Sequence, residues 1–181
     1  SLDNDDPGVV YHSIGVNGAS TSSYLRATLF KQHLQTINPD LVIFCIGIND
    51  AYDPGFCGNC YENNYDTLVD WIKSVSPRTN FIFVTNNDSY YKRRYPNKRV
   101  EEARLAMIRL ATKHNAAMWD MYHVMGGLGS IKTWQKHGLA KTDKIHLTTD
   151  GYKLMGDLMF SAIMKGYADY TKQNNQVILA D

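Results

Sequence analysis

The sequence predicts an α/β fold in which a doubly wound, mainly parallel sheet is sandwiched by helices. Short apolar runs typical of buried strands alternate along the chain with longer amphipathic segments typical of helices. Consecutive parallel strands need crossover connections of a dozen or more residues, and segments of that length separate the apolar runs. With 181 residues and 44% hydrophobic side chains, the chain is long enough for one core, so residues 1–181 are expected to form a single domain.

Four apolar segments are predicted to be strands. They are Val9–Ile14, Leu41–Ile46, Phe81–Val84 and the short segment Ala117–Asp120. The first three are rich in β-branched or aromatic residues, as strands are. The carboxyl ends of parallel strands meet at one edge of the sheet, and ligands bind there in open α/β folds.

Four helices are predicted between and after these strands. The first is capped by Ser22 or Ser23 and ends at Ile37, and the others span Tyr61–Val75, Val100–His114 and Thr149–Tyr170. The first three show apolar residues at helical spacing, which indicates one buried face. Two irregular stretches, Asn86–Asn97 and Met125–Ser130, follow strands and are expected at the carboxyl edge of the sheet.

The charge balance limits the class of partner. Nineteen basic and 18 acidic side chains give a net charge of +1, which removes the case for a general electrostatic partner such as nucleic acid or an anionic membrane. No apolar stretch approaches the roughly 20 residues that a membrane helix needs. The partner is therefore expected to be a small or neutral molecule.

Three cysteines leave several interpretations open. Cys45 lies inside an apolar run and is expected to be a buried small hydrophobe. Cys57 and Cys60 form a Cys-Gly-Asn-Cys motif, which fits a local disulfide, a pair of free thiols or half of a zinc site. An oxidised pair would favour an extracytoplasmic location, in the periplasm or at the cell surface.

The candidate for acid–base chemistry is His146, which lies just before the last predicted helix. Asp143 precedes it by three residues. In a tight loop such an aspartate can hydrogen-bond one imidazole nitrogen, fix the tautomer and leave the other nitrogen to act as a general base. A lone histidine near a helix start is also typical of a solvated or capping residue. The remaining histidines are interpreted as structural or surface residues: His12, His33, His114, His123 and His137.

Three segments, read in order, resemble the second, third and fifth signature blocks of the SGNH, or GDSL, hydrolases. They are Gly15–Ser20 after the first predicted strand, Gly47-Ile48-Asn49-Asp50 after the second, and Asp143-Lys144-Ile145-His146 before the last helix. The resemblance covers nearly the whole chain in element order. It implies the fold of that family and the activity of a carboxylic ester hydrolase.

The resemblance also implies a role for particular residues. The backbone N–H of Gly18 and the side-chain amide of Asn49 would form an oxyanion hole, with His146 as the base and Asp143 as the residue that orients it. Each fixed donor in such a hole is worth about 3 to 4 kcal/mol. Asp50 is interpreted as a structural carboxylate that ties down its turn. The implied chemistry uses no cofactor and no metal.

The nucleophile of that family is missing from the sequence. The first signature block, a Gly-Asp-Ser, occurs nowhere in the chain. Four serines lie near the right region but belong to the second strand and the helix cap in the resemblance: Ser13, Ser20, Ser22 and Ser23. We therefore expect the chain to be the C-terminal portion of a longer protein whose nucleophile strand lies upstream, in some relatives before an inserted β-rich domain.

A missing nucleophile strand has a topological consequence. In the strand order 2-1-3-4-5, the missing strand is the central one, between Val9–Ile14 and Leu41–Ile46. We expect a strand from upstream sequence or from another chain to fill this gap, because unpaired strand edges promote aggregation. Direct pairing of the two flanking segments would contradict this topology.

The predicted cleft rim suggests the class of substrate. It holds aromatic and basic residues in Tyr90–Tyr95, with Trp134 after the glycine-rich turn. Exposed aromatic rings beside polar groups suit a carbohydrate, so Tyr90, Arg93 and Trp134 are predicted to contact a glycan ester. The resemblance favours relatives that remove O-acetyl groups from cell-wall or other polysaccharides. The same segment also fits a solvated lead-in to the next helix.

Two other functions are open at this point. One is a non-catalytic carbohydrate-binding module that kept the fold and lost the nucleophile. The other is a metal-dependent phosphoesterase with Asp50, Asp143 and His146 as ligands. A Gly-Asp-Ser upstream would favour the esterase, and loss of activity with a chelator would favour the metal enzyme.

Overall fold

A parallel sheet of three strands organises the protein, whose structure is a computed structural model that describes residues 8–178. In chain order the elements are α1 (Thr21–Leu25), α2 (Phe30–Ile37), β1 (Leu41–Phe44), α3 (Ile48–Tyr52), α4 (Gly58–Val75), β2 (Asn80–Val84), β3 (Tyr90–Tyr91), β4 (Tyr95–Pro96), α5 (Arg99–Lys113), β5 (Ala117–Trp119), α6 (Met121–Met125), α7 (Ile131–Lys136) and α8 (Thr149–Ile178).

The sheet has the order β1-β2-β5, and both pairs of neighbours are parallel. Phe44 lies beside Phe83, which in turn lies beside Met118. Helices α4 and α5 provide the two crossovers, as parallel neighbours require. The predicted α/β class with a parallel sheet and flanking helices is confirmed. Strands β3 and β4 form a separate antiparallel hairpin.

One face of the sheet carries an aromatic core. Phe44 stacks on Phe83 with 5.3 Å between ring centroids, and Tyr65 of α4 meets Phe44 edge-on at 5.2 Å. Leu68 of α4 and Met107 of α5 are fully buried in the same cluster. Aromatic pairs of this geometry add about 0.5 to 1.5 kcal/mol each beyond the area they bury. The core thereby holds β1 and β2 against α4 and α5.

Within residues 8–178, the opposite face is open at β1 and covered near β5. There Trp119 packs against a second cluster that includes Leu147 and Met155 at the start of α8. At the β1 end of this face, Leu41 is 45% and Ile43 36% exposed. Cys45, expected to be buried, is exposed because it follows β1 on this uncovered side. The edge of β1 away from β2 pairs with no strand within residues 8–178.

Helix α8 continues well past the second cluster. It spans Thr149–Ile178, eight residues more than predicted from the sequence, and Phe160, Ile163 and Tyr167 stay exposed along it. Within the described part of the chain, no helix combines the length and the apolar character needed to cross a bilayer.

The N-terminal elements differ from the prediction. Val9–Ile14 does not form a strand, and Val9 is 91% exposed, because the described chain provides no strand beside it. It does not pair with β1 either, so the expected topology is not contradicted. The single helix predicted to end at Ile37 is two helices, because tight turns from Ala27 to Tyr24 and from Phe30 to Ala27 interrupt it.

Candidate active site

The end of β1 is fixed by a glycine and two tyrosines. Gly47 has φ of +127°, and a Cβ there would lie 2.0 Å from the Tyr61 hydroxyl oxygen, so only glycine fits. The buried hydroxyl groups of Tyr61 and Tyr65 both donate to the Ile46 carbonyl, at 3.1 and 2.7 Å. Burial raises the pKa of both phenols, which therefore stay neutral donors. The turn that follows β1 thus starts from a rigid position.

Asp50 ties this turn to the start of α1. Its carboxylate accepts the Thr21 hydroxyl at 2.6 Å and the Thr21 backbone N–H at 3.0 Å. Asn64 of α4 donates to the same hydroxyl oxygen at 2.9 Å. The structural role predicted for Asp50 is confirmed by these contacts.

The two residues predicted to form an oxyanion hole belong to adjoining segments. Asn49 Nδ2 donates to the carbonyl of Ala19, the residue after Gly18, at 2.8 Å. An amide nitrogen carries two hydrogens, so the second remains for a ligand. Gly18 has φ of +75°, which only glycine adopts freely. No hydrogen bond among residues 8–178 uses the Gly18 N–H. Their use as oxyanion donors stays a prediction.

Asp143 and His146 form the predicted pair. Asp143 Oδ2 lies 2.9 Å from His146 Nδ1, while its Oδ1 accepts the backbone N–H groups of Ile145 and His146 at 2.9 and 3.0 Å. Partial burial raises the pKa of Asp143, but these donors outweigh it and the pKa is lowered overall. The imidazole is half exposed, and its Nε2 has no partner among the described residues. A bound aspartate and an open Nε2 are what a general base needs.

The stretch that follows β2 holds the His146 loop in place. Asn87 Nδ2 donates to the Ile145 carbonyl at 2.8 Å, and the Tyr90 backbone N–H donates to the Lys144 carbonyl at 2.8 Å. Lys144 itself has φ of +56°, an unfavourable value for a side chain with a Cβ. Asn87 was not predicted from the sequence, although its place after a strand was a usable signal.

A buried carboxylate anchors the glycine-rich turn to the same stretch. Asp88 is fully buried, and its Oδ2 accepts the backbone N–H of Ile131, at the start of α7, at 3.0 Å. Burial raises the pKa of Asp88, and backbone donors from Ile131, Gly129 and Ser89 offset only part of that rise. The turn therefore has a fixed position relative to β2.

The three residues predicted to contact substrate are placed differently from one another. Arg93 is exposed in the turn between β3 and β4. Tyr90 is only 6% exposed and belongs to the second core cluster. Trp134 packs partly buried against that cluster and donates from Nε1 to the Met125 carbonyl at 3.1 Å. Only Arg93 has the exposure expected of a rim residue, and substrate contact by all three stays a prediction.

The structure leaves two parts of the candidate site unconnected. The Gly18–Asn49 pair and the Asp143–His146 pair share no hydrogen bond within residues 8–178. An apolar groove of about 450 Å³ opens beside Ala19, lined by Ile14, Tyr24 and Phe30 among others, and neither pair lines it. Within residues 8–178, no hydrogen bond therefore joins the predicted base to the predicted oxyanion donors.

The cysteine pair lies at the start of α4. Cys57 and Cys60 form a disulfide, one of the interpretations left open by the sequence. Cys57 also caps the helix, with its sulfur accepting the Cys60 backbone N–H at 3.1 Å. Among the residues that the structure describes, no three histidine, cysteine, aspartate or glutamate side chains are grouped to hold a metal ion.

Solved structures share this fold at low sequence identity. A peptidoglycan O-acetylesterase is 21% identical with a TM-score of 0.77, over 82% of this chain and 44% of its own. A lipase/acylhydrolase from Enterococcus faecalis is 23% identical with a TM-score of 0.62, over 81% and 71%. An acetyl xylan esterase is 17% identical with a TM-score of 0.62, over 83% and 79%. The chain thus spans less than half the length of the peptidoglycan O-acetylesterase. No curated protein matches the sequence.

A family model settles the relationship that the blocks and the fold indicate. The model of the GDSL-like lipase/acylhydrolase family matches residues 2–154. The match contains Gly18, Asn49 and the Asp143–His146 loop. The chain belongs to the GDSL-like lipase/acylhydrolase family.

Proposed function

We propose that this chain supplies the base and the oxyanion donors of a serine ester hydrolase. The observation that carries the proposal is the 2.9 Å contact between Asp143 and His146 Nδ1, which leaves Nε2 open. Nε2 would take the proton of a serine hydroxyl as its oxygen attacks the ester carbonyl. It would return that proton to the leaving alcohol when the tetrahedral intermediate collapses. Meanwhile the Gly18 N–H and the Asn49 side-chain amide would stabilise the negative charge on the oxygen of the tetrahedral intermediate.

The nucleophile is proposed to come from a strand that lies upstream in the same protein and pairs with β1. Two observations support this part. The sequence contains no Gly-Asp-Ser, and the outer edge of β1 carries unpaired backbone groups within the described chain. Exposed Leu41 and Ile43 beside that edge would be covered by such a strand and its helix. The chain by itself is then expected to be inactive.

The substrate is proposed to be an O-acetylated carbohydrate or cell-wall glycan. Two of the structural relatives are a peptidoglycan O-acetylesterase and an acetyl xylan esterase, which supports this class. Arg93 is exposed, and its carbonyl accepts Lys144 Nζ of the His146 loop at 3.0 Å, while Tyr95 is exposed two residues further along the same hairpin. The Cys57–Cys60 disulfide supports an extracytoplasmic location, because such bonds persist in oxidising compartments.

The missing nucleophile also favours a second candidate, a non-catalytic carbohydrate-binding module of the same fold. The presence of a Gly-Asp-Ser segment upstream in the gene distinguishes the two. The phosphoesterase is not proposed, because Asp50 is bound to Thr21 rather than grouped with Asp143 and His146.

A serine-directed phosphonate tests the proposal. We expect the reagent to leave this chain unlabelled and to label one serine upstream when the longer protein is treated. Mass spectrometry of the digested protein locates the adduct. Labelling of Ser13, Ser20, Ser22 or Ser23 would contradict the assignment, and absence of labelling in both proteins would favour the binding module.

A further inference from the structure

A group of basic side chains borders the His146 loop, although the whole chain has a net charge of only +1. Three of them form the turn between β3 and β4, one lies on α7, and one lies in the loop itself. We call this group the basic rim; its members are Lys92, Arg93, Arg94, Lys132 and Lys144.

Direct contacts join the basic rim to the candidate site. Lys144 stands two residues before His146, and its Nζ donates to the Arg93 carbonyl at 3.0 Å. Lys144 Nζ also lies 5.1 Å from the centroid of the Tyr90 ring, and Lys132 Nζ lies 5.9 Å from the same centroid. The Lys132 and Lys144 ammonium groups thus both lie at the Tyr90 ring, beside the His146 loop.

The turn that presents the arginines has a defined shape. Lys92 and Arg93 have φ of +50° and +61°, left-handed values that side chains with a Cβ adopt at a cost. The Lys92 backbone N–H donates to the Tyr52 hydroxyl oxygen at 3.1 Å, and the Tyr52 and Tyr91 rings lie 5.2 Å apart. A turn held in this way keeps its charged side chains in one region of the surface.

The charges of the basic rim are not neutralised within the described chain. None of its five members forms an ion pair with a carboxylate in residues 8–178. Asp143, next to Lys144 in the chain, bonds to His146, and Asp88, which accepts the Ile131 N–H at 3.0 Å beside Lys132, is fully buried. Like charges brought together without partners repel one another, which an anionic ligand would relieve.

We propose that the basic rim binds the carboxylate groups of an acidic glycan, so that the site selects acetylated glycans with uronic acid or similar units over neutral ones. The proposal rests on the proposed function, because it assigns the substrate class of the same site. Guanidinium groups pair with carboxylates through two parallel hydrogen bonds. Tyr95, 62% exposed beside the arginines, offers an apolar ring on which a sugar can lie. This second feature favours a glycan over other polyanions.

Binding measurements on this chain test the proposal without requiring turnover. The probes are a hexamer of galacturonic acid, the neutral hexamer of xylose and a single-stranded DNA hexamer, titrated calorimetrically at low and at moderate salt. We expect the acidic sugar to bind at least about tenfold more tightly than the neutral one, with the preference shrinking as salt screens the charges.

Matched charge reversals locate the effect. Arg94→Glu is expected to weaken binding of the acidic hexamer about fivefold or more. Arg78→Glu changes the net charge equally but lies exposed at the amino end of β2, at the opposite edge of the sheet, and should leave that affinity unchanged.

Several results would overturn the proposal. These are no binding of the acidic hexamer, equal affinity for the two sugars, equal losses in the two variants, or tighter binding of the DNA. Esterase turnover by the longer protein without an acidic preference would remove this inference and leave the proposed function standing. Binding of the acidic hexamer, together with no turnover of an acetyl ester by the longer protein, would remove the proposed function and leave this inference standing.

Discussion

Two Asp-x-x-His segments lie in this chain, and they use the same spacing differently. Asp143 and Asp120 each accept the backbone N–H of the histidine three residues later, at 3.0 and 3.2 Å. The second oxygen of Asp143 bonds to the His146 ring nitrogen Nδ1. The second oxygen of Asp120 accepts a hydrogen bond from Arg104 Nε at 2.8 Å. His123 is left exposed without a carboxylate on its ring.

The comparison shows that the spacing specifies a backbone cap rather than a catalytic pair. The backbone N–H occupies one oxygen of the carboxylate. The other oxygen bonds to the imidazole unless a neighbouring cation binds it instead. The recurrence of the motif at Asp120 and His123 was missed from the sequence. In a third pair, Asp66 of α4 lies 2.7 Å from His114, just after α5, but Lys113 shares the carboxylate and the His114 ring is partly buried against Phe83.

The largest expected effect is a loss of kcat/KM on removal of the His146 ring but not of the His123 ring. In the longer protein with its nucleophile, His146→Ala should lower kcat/KM for nitrophenyl acetate by about 100- to 10,000-fold, because a general base contributes that much. His123→Ala is the matched control and should leave kcat/KM within about twofold. Equal losses in both variants would mean that the ring contact made by Asp143 has no catalytic meaning.

A smaller loss is expected when the His146 loop is loosened. Asn87→Ala removes the donor to the Ile145 carbonyl, and a misplaced base should lower kcat about tenfold with KM little changed. The NMR chemical shifts of the His146 ring, measured in this chain, should change in the same variant. Asn80→Ala, at the exposed amino end of β2, is the control. Unaltered ring chemical shifts together with an unaltered kcat would show that Asn87 does not position the base.

The ion pair between Arg104 and Asp120 is expected to contribute to stability. Arg104→Ala leaves a partly buried Asp120 without its cation, so the free energy of unfolding should fall by about 1 to 2 kcal/mol. Chemical denaturation measures this loss. The NMR signals of His123 should show whether its ring then moves onto the vacated oxygen. No loss of stability would mean that the ion pair is not what sets the two segments apart.

The pH dependence of stability is the smallest expected effect. Burial raises the pKa of both Asp143 and Asp120, but their hydrogen bonds outweigh it and both are lowered overall. Carboxyl groups with a lowered folded-state pKa stabilise the fold above their unfolded value and lose this contribution as the pH falls through the folded value. The difference in unfolding free energy between the wild type and Asp143→Asn or Asp120→Asn should therefore be constant at neutral pH and shrink below about pH 4. A difference that grows in acid would contradict the sign.

Local patterns predicted the elements whose partners lie inside the chain. The apolar stripe ending at Val75 predicted α4, which packs against α5. The run from Leu41 predicted β1, which pairs with β2. The bond from the His146 backbone N–H to Asp143 was also predictable, since both residues lie in one turn, whereas the ring contact depends on the absence of a competing cation such as the one beside Asp120. Long-range contacts were not: the bond from Asn87 to Ile145 joins residues 58 apart, and no local period indicates it.

The failures at the N-terminal end have one physical cause. Val9–Ile14 has the composition of a strand, but a strand needs a neighbour for its backbone groups, and none is described beside it. Cys45 and Leu41 were expected in a buried strand, but the face on which they lie is open at β1. Composition indicates what a segment can form, and the neighbouring strand decides whether it does.

Hydrolysis of nitrophenyl acetate, compared among this chain, the longer protein and its His146→Ala variant, shows whether the nucleophile lies outside residues 1–181. We expect no turnover by residues 1–181, turnover by the longer protein, and loss of that turnover in the variant. Robust hydrolysis by residues 1–181 would contradict this expectation, because the nucleophile would then lie within this chain.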